Sequence, residues 1–161
     1  METIYFDTLQ FVYHLALGVL VGGAVVLGAA AAPAIFASVR SRGEAGAIFG
    51  AVLGRYDGLA ILCVVLIVVT SVLKATAFEV TGVPETRLVL RWLALLVLCG
   101  ATLYASAWAN PLARTIRAQT PGWDDLREDA PMRLEFQSLH RTSRRAMTVA
   151  ILAGIVAMFL S

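Results

Sequence analysis

The side chains best suited to metal or redox chemistry in this sequence are two histidines, His14 and His140, and two cysteines, Cys63 and Cys99. A neutral imidazole ligates metals and binds haem iron axially, so His14, with Tyr13 beside it, is a candidate ligand for haem or copper. The plainer reading of His14 is a polar side chain hydrogen-bonded across a helix bundle. The cysteines sit in apolar runs without CxxC spacing, which reads as buried small hydrophobes and not as a disulfide framework or zinc site. No HExxH, GxSxG or P-loop pattern occurs, so the sequence nominates no catalytic residue and no metal site, and it leaves any cofactor unknown.

A denser group of polar residues marks several segment ends. Arg55, Tyr56 and Asp57 fall together, Asn110 is followed by Pro111, Arg114 and Arg117, and His140 is followed by Ser143. A buried ionisable residue in a membrane must find a partner. For Asp57 the sequence offers Arg55, His140 or Arg144. Arg55, Tyr56, Asp57, Asn110, Arg117, His140 and Ser143 thus form a candidate polar cluster. It reads either as an ion-pair clamp between helix ends or as a vestibule for a small solute or ion.

The elements that carry these residues follow from composition. Of 161 residues, 59% are apolar and 15% charged, and the mean hydropathy is +0.79. Such a chain cannot cover its surface with polar groups, which excludes a soluble globule and, equally, intrinsic disorder. A net charge of +2 is too small a basic excess to suggest nucleic acid. Thr8–Val39 contains no charged residue over 32 positions, where about 20 suffice to cross a bilayer. The sequence predicts four spans, at about 9–32, 58–78, 91–112 and 142–161. Pro33 is expected to end or kink the first, and Lys74 to snorkel outward from the second. Trp92 and Trp108 lie near the two ends of the third, as interfacial aromatics do. The acidic start of the chain does not suit a cleaved signal peptide.

Cation placement sets the expected orientation. The first and third connections hold ten of the 13 cations, and the second holds three. Both termini are therefore expected on the non-cytoplasmic side of a bacterial-type inner membrane, which places His14 near the outer face and Asp57 and His140 near the inner one.

Between the first two spans, Ala45, Ile48, Phe49, Val52, Leu53 and Tyr56 follow the apolar spacing of one helix face. This predicts an amphipathic helix over 43–57 on the cytoplasmic side, leading into span two with or without a break. Gly46, Gly50, Gly54 and Gly58 recur every fourth residue beside that stripe, and Gly18 and Gly22 repeat the spacing in span one. Glycine costs helix stability, so the series suggests close backbone approach, within the chain or between copies.

The ordered series YHLALGVLVGG, AAPAIF, EAGAIFGAVLGRYD, NPLARTIRA and FQSLHRTSRRAM resembles the transmembrane protein 205-like family, a four-span group described as a domain of unknown function. His14, Gly22, Gly23, Pro33, Phe36, Gly46, Tyr56, Pro111, Phe136, Leu139, His140 and Ser143 match its pattern. Val21 and Met147 depart from it, where a Trp and an Asn are common. The resemblance implies a four-helix membrane bundle and, through a link of the animal proteins to platinum-drug tolerance, export or trafficking. A more distant likeness is to copper-resistance D-type membrane proteins. Three functions follow as expectations: handling of a small solute or metal-like cargo at the inner-face cluster, a haem- or copper-binding redox component using His14, and an assembly or scaffold subunit.

Overall fold

The computed structural model describes residues 2–80 and 82–161. Four long helices account for nearly all of them: α1 (Thr3–Ser38), α2 (Arg42–Glu79), α3 (Thr86–Gln119) and α4 (Pro131–Phe159). Each is long and apolar enough to cross a membrane, and no strand occurs among the described residues. The fold is the all-α, four-span bundle that the composition implies.

Two of the helices pass through prolines. Proline lacks an N–H and crowds the carbonyl four residues back, so a regular α-helix breaks or kinks there. In α1 a π-helical turn over Leu27–Ala31 precedes Pro33, and the Ala32 N–H bonds the Leu27 carbonyl, one residue further back than in an α-helix. In α3 the turn over Tyr104–Ala109 precedes Pro111 in the same way, with the Asn110 N–H on the Ala105 carbonyl. A widened turn gives the ring room without ending the helix. Helix α1 therefore continues past Pro33 to Ser38, beyond the expected end near residue 32.

Helix α2 begins where Ser41 accepts a hydrogen bond from the Glu44 N–H at 3.0 Å, an N-cap that satisfies one of the free donors of the first turn. It runs unbroken to Glu79. The predicted amphipathic segment 43–57 thus leads into span two without a break.

Helix α1 packs along α2, α3 along α4, and α4 closes the bundle against α1. The central core joins Tyr13, Leu17 and Leu20 of α1, Cys63 and Ile67 of α2, Leu95 and Leu98 of α3, and Ala157 of α4. Only 28% to 44% of each apolar stretch is buried inside the bundle. Leu62, Val65 and Val72 of α2, Leu93 and Leu96 of α3, and Leu152 and Ile155 of α4 face outward. An apolar surface of this extent fits lipid and not water.

The glycines are placed differently from the expectation. A Cβ at Gly18, Gly22, Gly50 or Gly58 would meet nothing within 4 Å. Gly46 and Gly54 lie under the Arg117 and Arg114 side chains, not under a backbone. The close approaches are elsewhere. A Cβ at Gly23 would lie 2.8 Å from the Tyr56 ring, and one at Gly154 would collide with Val21 and Leu98. Period-four spacing marks one face of a helix, but it does not say what that face meets.

With four helices, the connections 39–41 and 120–130 share one end of the bundle. The termini share the other end with the connection 80–85, of which the structure describes residues 80 and 82–85. These are called below the connector end and the terminal end.

Candidate functional site

At the connector end Asp57 is 3% exposed. The Asn110 amide donates to one of its carboxylate oxygens at 2.8 Å, and Arg114 Nη1 pairs with the other at 2.5 Å. Ser143 Oγ in turn donates to the Asn110 side-chain oxygen at 2.5 Å. Asp57 belongs to α2, Asn110 and Arg114 to α3, and Ser143 to α4, so one chain of hydrogen bonds ties three helices. Pro111 and the π turn before it set the register that delivers Asn110 to this network. Within this network both carboxylate oxygens of Asp57 and the side-chain oxygen of Asn110 have partners, and the carboxylate keeps a cation beside it.

The other expected members of the cluster are placed apart from Asp57. Its ion-pair partner is Arg114, not Arg55, His140 or Arg144. Arg55 and Arg144 are exposed. Arg114 follows Asn110 by one helical turn, which puts both on the face turned to Asp57. Tyr56 donates its hydroxyl to the Leu20 carbonyl at 2.6 Å and fills the space left by Gly23, fastening α2 to α1. Arg117 lies next to the loop, donating to the Gly43 carbonyl at 2.7 Å. His140 stacks on Phe136 with ring centroids 6.0 Å apart.

His14 sits at the terminal end. Its Nδ1 donates to the Gln10 carbonyl at 2.9 Å, and its Nε2 lies 2.8 Å from Ser161 Oγ. Both ring nitrogens are thus occupied within the chain. Among the described residues no three His, Cys, Asp or Glu side chains gather as a metal-ion ligand set.

A second charged cluster lies at the terminal end, where the sequence led us to expect an outward-reaching lysine. Lys74 is 1% exposed. It donates to the Gln10 side chain, lies 3.4 Å from Glu79, and stands over the rings of Phe6 and Tyr13, 5.5 and 5.0 Å from their centroids. Arg91, 5% exposed, pairs with the same Glu79. Two cations and one carboxylate are therefore enclosed among aromatic rings. The π turn over Ala75–Glu79 carries Glu79 back towards Lys74 and Arg91. Lys74 was legible as an ionisable residue inside an apolar run, but its direction was not.

The two clusters are joined along α3. Arg91, Thr102, Ser106 and Asn110 are all buried. The last three are spaced by four, and Arg91 lies three turns earlier on nearly the same face. The row runs over 20 residues, or about 28 Å for its 19 steps of 1.5 Å. Leu95 and Leu98 occupy its middle. The hydroxyls of Thr102 and Ser106 are enclosed in the bundle without a hydrogen-bond partner among the described residues.

Residues 15–121 match a family model described as "Domain of unknown function (DUF4149)". The chain belongs to the DUF4149 family. The matched region runs from just after His14 to the start of the α3–α4 connection, so it contains Asp57, Asn110 and Arg114 and both cations of the terminal-end cluster. Ser143, which completes the network, lies outside it. No match was found among curated proteins or among solved structures.

Proposed function

We propose that this DUF4149 protein is a non-enzymatic membrane protein that admits a small polar solute into its bundle, with Asp57, Asn110, Arg114 and Ser143 forming the vestibule. The observation that carries this reading is the buried polar row of α3. Thr102 and Ser106 present unpartnered hydroxyls between two charged clusters. A buried hydroxyl without a partner costs about 1–3 kcal/mol, which a solute or water passing the site would offset. A solute is favoured over haem or copper at His14, because both of its ring nitrogens already have partners within the chain. The likeness to the transmembrane protein 205-like family, which rests on the ordered series of motifs, points in the same direction. We further infer from the cation counts that both termini face away from the cytoplasm.

A second reading, a lock on three helix ends for a scaffold subunit, is favoured by one observation: both carboxylate oxygens of Asp57 already have partners. Osmotic shrinkage of proteoliposomes, followed by stopped-flow light scattering, separates the two. Urea, glycerol and sodium chloride are the probes. Faster equilibration of one probe than in protein-free vesicles, slowed in a Thr102→Val, Ser106→Ala double variant, is expected for solute passage. Identical traces with and without protein for all three probes would leave only the lock.

A further inference from the structure

A pocket of about 200 Å³ opens at the connector end, distinct from the Asp57 network, among Arg42, Arg117, Arg133, Asp124, Trp123 and Phe136. Three arginines and one aspartate line it. The Asp124 carboxylate lies over Gly43 in the first turn of α2, where a Cβ would collide with it, and pairs with Arg117 at 3.9 Å. A helix N-terminus favours negative charge, so Asp124 acts as a resident anion at one edge of the pocket.

The arginines are held with donors to spare. Arg117 Nη2 donates to the Gly43 carbonyl at 2.7 Å. Arg133 Nη2 donates to the Trp123 and Asp124 carbonyls at 3.0 and 3.2 Å, while its Nε is enclosed without a partner among the described residues. Backbone carbonyls fix where these forks lie without neutralising their charge, and Asp124 offsets only one of the three cations. The Arg133 guanidinium also stands 5.9 Å from the Trp123 ring centroid, and Trp123 meets Phe136 edge-on at 5.1 Å. The pocket therefore combines excess positive charge, forked donors already oriented by the protein, and an aromatic wall.

We propose that this pocket binds a phosphate group. A tetrahedral oxyanion accepts from several guanidinium forks at once, and arginine is the side chain suited to that geometry. A phosphate carrying more than one negative charge matches the excess of cations over Asp124. The phosphate belongs either to a lipid headgroup in the adjoining leaflet or to a soluble phosphate compound. Either source presents the same chemistry to Arg42, Arg117 and Arg133.

The test is thermal unfolding of the full-length protein in micelles of an uncharged, phosphate-free maltoside detergent at constant ionic strength. One arm adds inorganic phosphate in place of chloride, and the other adds phosphatidic acid to the micelles. The midpoint is expected to rise saturably in at least one arm. A rise with inorganic phosphate assigns a soluble ligand, and a rise with phosphatidic acid alone assigns a lipid. Arg42→Gln and Arg133→Gln should each weaken the half-saturating concentration about 10-fold, the scale of one charge-assisted hydrogen bond. Arg42 is exposed and serves if Arg133→Gln unfolds the loop. Asp124→Asn removes the resident anion and should tighten binding, where a merely structural Asp124 would leave it unchanged or weakened. A midpoint indifferent to both additives, or one that rises equally in Arg42→Gln and wild type, overturns the proposal.

Discussion

His14 and Ser161 are separated by 147 positions in the chain, yet the imidazole Nε2 and the serine hydroxyl lie 2.8 Å apart. Arg87 adds a second tie, its Nε donating to the Leu160 carbonyl at 3.1 Å. Together they fasten the C-terminal end of α4 to α1 and α3. They also place both ends of the chain at one end of the bundle, as an even number of spans requires.

A labelling experiment follows from that geometry. Single cysteines at Thr3, Gly82 and Thr120, in a background with Cys63 and Cys99 replaced, should divide two against one in intact cells. Thr3 and Gly82 are expected to react with an impermeant maleimide added outside, and Thr120 only after permeabilisation. The reverse pattern would keep the fold and invert the orientation. Equal reactivity of all three would contradict the four-span arrangement.

Asp57→Ala should destabilise the bundle by about 2–4 kcal/mol, because it leaves the Asn110 amide and the Arg114 cation without their acceptor. Breaking a buried pair costs about 3–5 kcal/mol, reduced here because the Arg114 side chain is 36% exposed and water screens it. Arg55→Ala should cost less than about 0.5 kcal/mol, since Arg55 is exposed. Reversible unfolding in detergent would measure both, and a comparable loss for Arg55→Ala would show that it has a role that this geometry does not give it.

At the terminal end the two cations sharing Glu79 predict an asymmetry. Glu79→Gln strands Lys74 and Arg91 as unpaired buried charges and should cost about 3–5 kcal/mol. Lys74→Met keeps an apolar side chain of similar length and leaves the Arg91–Glu79 pair intact. It should be neutral to within about 1 kcal/mol. Equal losses in the two variants, read as unfolding midpoints, would mean that the cluster is not governed by its charge balance.

Glycine substitutions should separate packing from pattern. Gly154→Ala drives a methyl into Val21 and Leu98 and should cost about 1–3 kcal/mol. Gly50→Ala enters open space and should be neutral or stabilising by up to about 1 kcal/mol, because alanine is the better helix former. A larger loss at Gly50 than at Gly154, in detergent where the protein is monomeric, would restore the period-four face as an interface within the chain.

What the sequence determined by itself was the class of fold and the number of spans. An excess of apolar residues and four long stretches with few charges admit no other solvent than lipid, and in lipid a helix satisfies its own backbone. It also placed Asp57, Asn110 and Ser143 at one end of the bundle, because polar groups at helix ends within a membrane must be partnered, but it grouped them with Arg55, Tyr56, Arg117 and His140, which lie apart. Direction was beyond it. Lys74 occupies a position near a membrane face from which a lysine can snorkel, and only the enclosure formed by Gln10, Tyr13 and Glu79 turns it inward. The partner of Asp57 was equally beyond it: the sequence pointed to Arg55, His140 or Arg144, and the structure gives Arg114. The π turn before Pro111 sets the rotation of α3 that brings Arg114 to the carboxylate, and neither local propensity nor spacing encodes that rotation. Local sequence fixes which segments are helical, but how each helix is turned depends on side-chain packing between segments far apart in the chain.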